Sequence, residues 1–107
     1  MDAAAAPLID PEHLRAYMQR ETRFWGRSVR QRREDLAMTL AQVAALAGTS
    51  IQTISKIEAG EIAARDHLRI ALAFALSTEV DRLFPMPTRE VIRREIEAAA
   101  ETALVAS

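Results

Sequence analysis

Residues 39–60 read Thr-Leu-Ala-Gln-Val-Ala-Ala-Leu-Ala-Gly-Thr-Ser-Ile-Gln-Thr-Ile-Ser-Lys-Ile-Glu-Ala-Gly. They describe two short helices joined by a tight turn. Thr39 is a good N-cap, because its hydroxyl can accept from an orphan amide of the first turn, and Gln42 can reach back as in a capping box. Leu40, Val43, Ala44 and Ala47 recur at spacings of three and four, so they share one helix face. Gly48 can take the left-handed conformation that ends a helix. Ser50 then caps a second helix, in which Ile54 and Ile57 point the same way.

At about 100° per residue, Gln52 stands almost opposite the midpoint of Ile54 and Ile57. Ser55 and Lys56 share that outer half, with Ile51 at its margin. A polar face at the start of a helix, braced from behind by another helix, suits a DNA major groove. The groove admits one helix and presents donors and acceptors that Gln, Ser and Lys match.

The chain from Gly26 to Phe84 resembles the lambda-repressor-like, Cro-type (xenobiotic-response-element) helix-turn-helix regulators. The matching residues are Gly26, Val29-Arg30, Arg33, Met38-Thr39, Val43-Ala44, Gly48-Thr49-Ser50, Ile54-Ser55 and Ile57-Glu58-Ala59-Gly60. Behind them come Ala73, Ala75-Leu76, Val80-Asp81 and Leu83-Phe84. The resemblance implies an all-α fold: a five-helix DNA-binding domain, here with an N-terminal helical extension and an additional C-terminal helix.

Composition sets the bounds. The chain has 107 residues, the size of one domain. Without cysteine there are no disulfides, thiol catalysis or Cys-type zinc sites, which fits a reducing cytoplasm. No apolar run approaches the roughly 20 residues that span a bilayer. The alanines at 3–6 follow an acid rather than a base, against a signal peptide. Net charge is −1 overall, yet residues 1–12 carry −3, residues 13–65 carry +4 and residues 66–107 carry −2. The positive part coincides with the candidate reader, and a local patch attracts phosphates whatever the global sum.

Along the chain, residues 1–9 read as disordered. Asp10-Pro11-Glu12 is a helix start, with a cap, proline at N1 and acid in the first turn. The N-terminal extension occupies 10–25, and its helix continues towards Leu36 unless Gly26 bends or breaks it. Tyr17, Phe24 and Trp25 read first as core aromatics, the alternative being a ligand pocket or a dimer contact. The helix-turn-helix domain occupies 26–84. Asp66 reads as the N-cap of the next helix, whose Leu68, Leu72, Ala75 and Leu76 face the core, and Ser77 or Thr78 as the cap of a short one after it. Pro85-Met86-Pro87 closes the domain. Thr88 caps a last helix over 88–107, with an apolar stripe of Val91, Ile92, Ile96, Ala99 and Ala103. Such a helix must bury that stripe to persist, either on its own domain or on a second subunit.

The expected base readers are Ile51, Gln52, Thr53, Ser55 and Lys56. Gln52 can pair with adenine N6 and N7, and Lys56 can serve guanine or phosphate. Ile51 either meets a thymine methyl or packs against the neighbouring helix. Thr39, Thr49 and Ser50 are expected phosphate contacts as well as caps, and the resemblance implies Arg30 and Arg65 as further ones. Arg27 and Arg32 read equally as a solvated face or as further contacts. The resemblance implies that Arg33 pairs with Glu58 as a structural ion pair. One departure is Leu40, where many relatives open the helix with a phosphate-clamping glutamine.

The reading is therefore a cytoplasmic, homodimeric transcription regulator, a repressor, that binds double-stranded DNA at an inverted repeat. The alternative is an antitoxin-like or phage-type regulator whose C-terminal helix binds a protein partner. No nucleophile–base set, metal site or cofactor loop is expected, so the chain does not read as an enzyme.

Overall fold

The computed structural model describes residues 11–106, apart from the side chains of residues 99 and 103–106. The expected disorder of residues 1–9 and the cap at Asp10 lie outside the described residues, as do the side chains of Ala99 and Ala103. Six helices follow in order: α1 Pro11–Asp35, α2 Leu40–Ala47, α3 Ile51–Glu58, α4 Asp66–Ala75, α5 Val80–Leu83 and α6 Arg89–Ala106. No strand occurs among the described residues. The chain divides into two compact units, one of residues 19–86 and one formed by its two ends.

In the unit of residues 19–86 the core gathers Trp25 and Val29 of α1 with Val43, Ala44, Ile54, Ile57, Leu72, Ala73, Leu76, Leu83 and Phe84. Trp25 anchors it on three sides. Its indole N–H donates to the Pro85 carbonyl at 2.9 Å, and its ring meets Phe84 edge-on at 6.3 Å. The Arg69 guanidinium lies 4.9 Å over the indole and donates to the Ala64 carbonyl. Such a stack adds about 0.5–1 kcal/mol or more where water is excluded.

α1 does not break at Gly26. A glycine inside a helix usually marks a weak point, but here it marks a close approach. A Cβ at Gly26 would lie 2.3 Å from the Ile57 carbonyl oxygen and 2.9 Å from that of Glu58. The missing side chain lets α1 rest directly on the C-terminal end of α3.

Phe24, expected in the core, is 47% exposed. It stands about 100° round the helix from Trp25, and the core takes the tryptophan. Two expected caps also differ. Asp66 is the first residue of α4, with Arg65 at the N-cap, and no side chain bonds there. Asp66 still favours the helix, as an acid in the positive first turn. α5 begins after Glu79 rather than after Ser77 or Thr78, because Ser77 is needed to end α4.

Four helix ends in this unit close in the same way. Ala37, Gly48, Ser77 and Gly60 each donate back to a carbonyl three residues earlier, and the next residue donates five back. This closure requires a left-handed residue, which glycine adopts without strain. Gly48 and Gly60 have φ of 71° and 75°, but Ala37 and Ser77 hold φ of 53° and 52° with a Cβ. Ala37→Gly and Ser77→Gly should therefore each stabilise the protein by about 0.5–1 kcal/mol, the relief of left-handed strain less the added entropy of the unfolded glycine. Thermal melts should rise by a few degrees for each.

In the unit formed by the chain ends, Tyr17 is buried while Leu14 and Met18 are exposed. Thr88 caps α6, accepting from the Val91 amide at 3.2 Å. Arg93 bridges Glu90 and Glu97 along the helix. Val91 and Ile92 are 39% and 36% exposed, and Ile96 is half-buried.

Candidate nucleic-acid interface

α2 and α3 build the site from local signals. The Thr39 hydroxyl accepts from the Gln42 amide at 3.1 Å, and Gln42 Oε1 accepts from the Thr39 amide at 2.8 Å, completing a capping box. Gln42 is thereby committed to the backbone. Leu40, where relatives carry glutamine, packs against the core. The left-handed Gly48 turns the chain through Thr49 into Ser50, whose hydroxyl accepts from the Thr53 amide at 3.1 Å.

Ile54 and Ile57 are fully buried beneath α3. Opposite them Ile51, Gln52, Ser55 and Lys56 are exposed. Thr53 differs from those four. It is half-buried at the inner margin, and its hydroxyl is shared with Ser50 at 2.9 Å. Ala59 is exposed as well, and at about 100° per residue it shares the azimuth of Gln52. The sequence reading left it out, although the same angular arithmetic finds it.

α3 is tied to α1 by a partly buried ion pair. Arg33 donates from Nε to Glu58 Oε2 at 2.7 Å and from Nη2 to Glu58 Oε1 at 2.9 Å, while Nη1 reaches the Met38 carbonyl. This fork geometry is the strongest arrangement for Arg and carboxylate. The hydrogen bonds that Arg33 donates to Glu58 raise its pKa above the ordinary value, with burial opposing. The guanidinium is therefore charged at any working pH.

The remaining cations sort by their partners. Arg30 is exposed and pairs loosely with Glu34 at 3.7 Å. Arg32 is neither a solvated side chain nor a free phosphate contact, because it donates to the Leu76 and Ser77 carbonyls at 2.8 and 2.9 Å. It thus caps the C-terminal end of α4. Lys56 and Arg65 are exposed and carry no ion pair among the described residues. Thr49 is half-buried, while Thr39 and Ser50 are exposed with their hydroxyls engaged as caps. Among the described residues no group of three or more His, Cys, Asp or Glu could hold a metal. No described helix is long and apolar enough to cross a membrane.

Residues 26–83 match the sequence model of a family described as the helix-turn-helix domain. No curated protein and no solved structure matches the chain. The match takes in α2, α3, the arginine stretch of α1 and the Arg33–Glu58 pair, and it covers more than half of the residues.

Proposed function

The chain belongs to the helix-turn-helix domain family, and from that premise we propose that it is a sequence-specific transcription regulator that binds double-stranded DNA. It acts as a homodimeric repressor of the Cro type, bound at an inverted repeat. The observation that carries this reading is the outer face of α3: Gln52, Ser55 and Lys56 exposed beside Ile51, with Ile54 and Ile57 buried behind them.

α3 enters the major groove. Gln52 pairs with adenine, worth about 1–3 kcal/mol of discrimination, and Lys56 donates to guanine or to phosphate. Ile51 meets a thymine methyl, and Ser55 and Thr53 complete the reading face. Arg30, Thr39, Thr49, Ser50 and Arg65 contact the backbone, where helix N-termini and cations favour anions. Two copies of α3 about 34 Å apart then meet successive grooves, and the bound dimer represses by blocking polymerase. The protein works in the cytoplasm, on the nucleoid when bound. The exposed Val91 and Ile92 of α6 support its use as the dimer contact. The same residues support the second reading, in which α6 takes a different protein and the helix-turn-helix autoregulates.

Arg65 supplies the first test. Arg65→Ala should lower the slope of log affinity against log salt by about 0.9, the value for one phosphate contact. It should weaken binding equally on preferred and scrambled duplexes. An unchanged slope removes Arg65 from the interface.

A further inference from the structure

On the other side of α1 lies a groove of about 410 Å³ between α1 and α5. Its volume falls within the roughly 300–1,000 Å³ of small-molecule sites. Gly26 and Arg33 mark the side of α1 that meets α3. Phe24, Arg27, Gln31 and Asp35 recur at spacings of three and four on a face about 155° away. The groove is therefore separate from the face of α3 proposed to meet DNA.

Its lining is amphipathic and positive. Phe24 of α1 supplies exposed apolar surface, Leu83 of α5 is almost wholly buried, and Arg27 and Arg82 stand in the same groove. Most arginines of this part of α1 are engaged: Arg30 with Glu34, Arg32 with carbonyls, Arg33 with Glu58. The side chains of Arg27 and Arg82 carry no ion pair or hydrogen bond among the described residues. The one acid in the lining, Asp35, accepts from the Gln31 amide at 2.8 Å. Counting Arg32 as well, three arginines face one aspartate, a local +2 on a chain of net charge −1.

We propose that this groove binds a small organic anion, its carboxylate or phosphate held by Arg27 and Arg82 and its apolar body laid on the exposed ring of Phe24. Guanidinium forks match both anions bidentately, and the exposed phenyl ring gives the ligand body a face to cover. The site does not depend on what α3 binds.

The test is a titration of the full chain with phenyl phosphate and with benzoate, followed residue by residue through amide chemical shifts. Inorganic phosphate and benzyl alcohol serve as controls for charge alone and ring alone. The expected result is saturable shifts centred on residues 24–35 and 78–83, with at least one aryl anion about ten-fold tighter than either control. Arg27→Gln and Arg82→Gln should each weaken that binding about five-fold or more, since each removes one charge-assisted fork. Both residues are exposed, so the unperturbed spectrum reports whether each variant is folded. Arg65→Gln should leave the affinity unchanged. Shifts centred on α3, equal affinity for inorganic phosphate, no saturation with either anion, or indifference to both groove substitutions would each overturn the proposal.

Discussion

Gly26→Ala is expected to destabilise the protein by about 1–2 kcal/mol, against the trend that alanine stabilises helices. Alanine in place of glycine within a helix gains roughly 1 kcal/mol of propensity. Here the new methyl would lie 2.3 Å from the Ile57 carbonyl oxygen and 3.1 Å from the Glu58 carbonyl carbon. Neither is the yielding end of a flexible side chain, so a backbone must move. Overpacking of this kind costs about 1–3 kcal/mol and occasionally more, which outweighs the propensity gain at its upper end. The melting temperature should fall by roughly 5–15 °C for a unit of this size. A melt within a few degrees of wild type would show that α1 and α3 separate easily, and that Gly26 does not set their spacing.

Glu58→Ala is expected to cost about 3 kcal/mol, the lower end of the range for breaking a buried pair. The side chains of Arg33 and Glu58 are only 14% and 7% exposed. Removing the carboxylate leaves a guanidinium that water solvates poorly, and loses both arms of the fork. An exposed pair would cost about 1 kcal/mol or less, so the magnitude separates the two cases. Arg33→Met combined with Glu58→Leu should be less destabilising than Glu58→Ala alone, because no charge is left stranded. Urea unfolding of Arg33→Met, Glu58→Leu and their double, beside Glu58→Ala, decides this. Additive losses, or a single loss near 1 kcal/mol, would make the pair ornamental and leave the angle of α3 to Ile54 and Ile57.

The parts of the fold legible in the sequence are those that local chemistry dictates. α2 and α3 follow from Thr39, Gln42, Gly48 and Ser50, each acting within one helical turn. Their buried faces follow from the spacing of Val43, Ala44, Ile54 and Ile57. What escaped the sequence depends on partners far along the chain. Gly26 looks like a helix breaker until Ile57 and Glu58 are placed against it. Arg32 looks solvated until the carbonyls 44 and 45 residues later arrive. Trp25 and Phe24 are neighbours of equal apolar character, and only the position of Phe84 and Pro85 shows which one the core takes. Ser77 looked like a helix start because serine caps well, but its left-handed φ ends the helix before it. The contact between Arg33 and Glu58 was reached through a resemblance, since no spacing rule links residues 25 apart.

The central claim is that α3 reads DNA sequence through Gln52. The most direct measurement is selection from random duplex DNA by the wild-type protein and by Gln52→Ala. An inverted repeat with half-sites about one helical turn apart is the expected result. In the variant, one adenine-containing position should relax by about 1–3 kcal/mol while the others hold. A motif identical in both proteins would take Gln52 out of the groove. No motif at all would contradict the account and assign the helix pair to another partner.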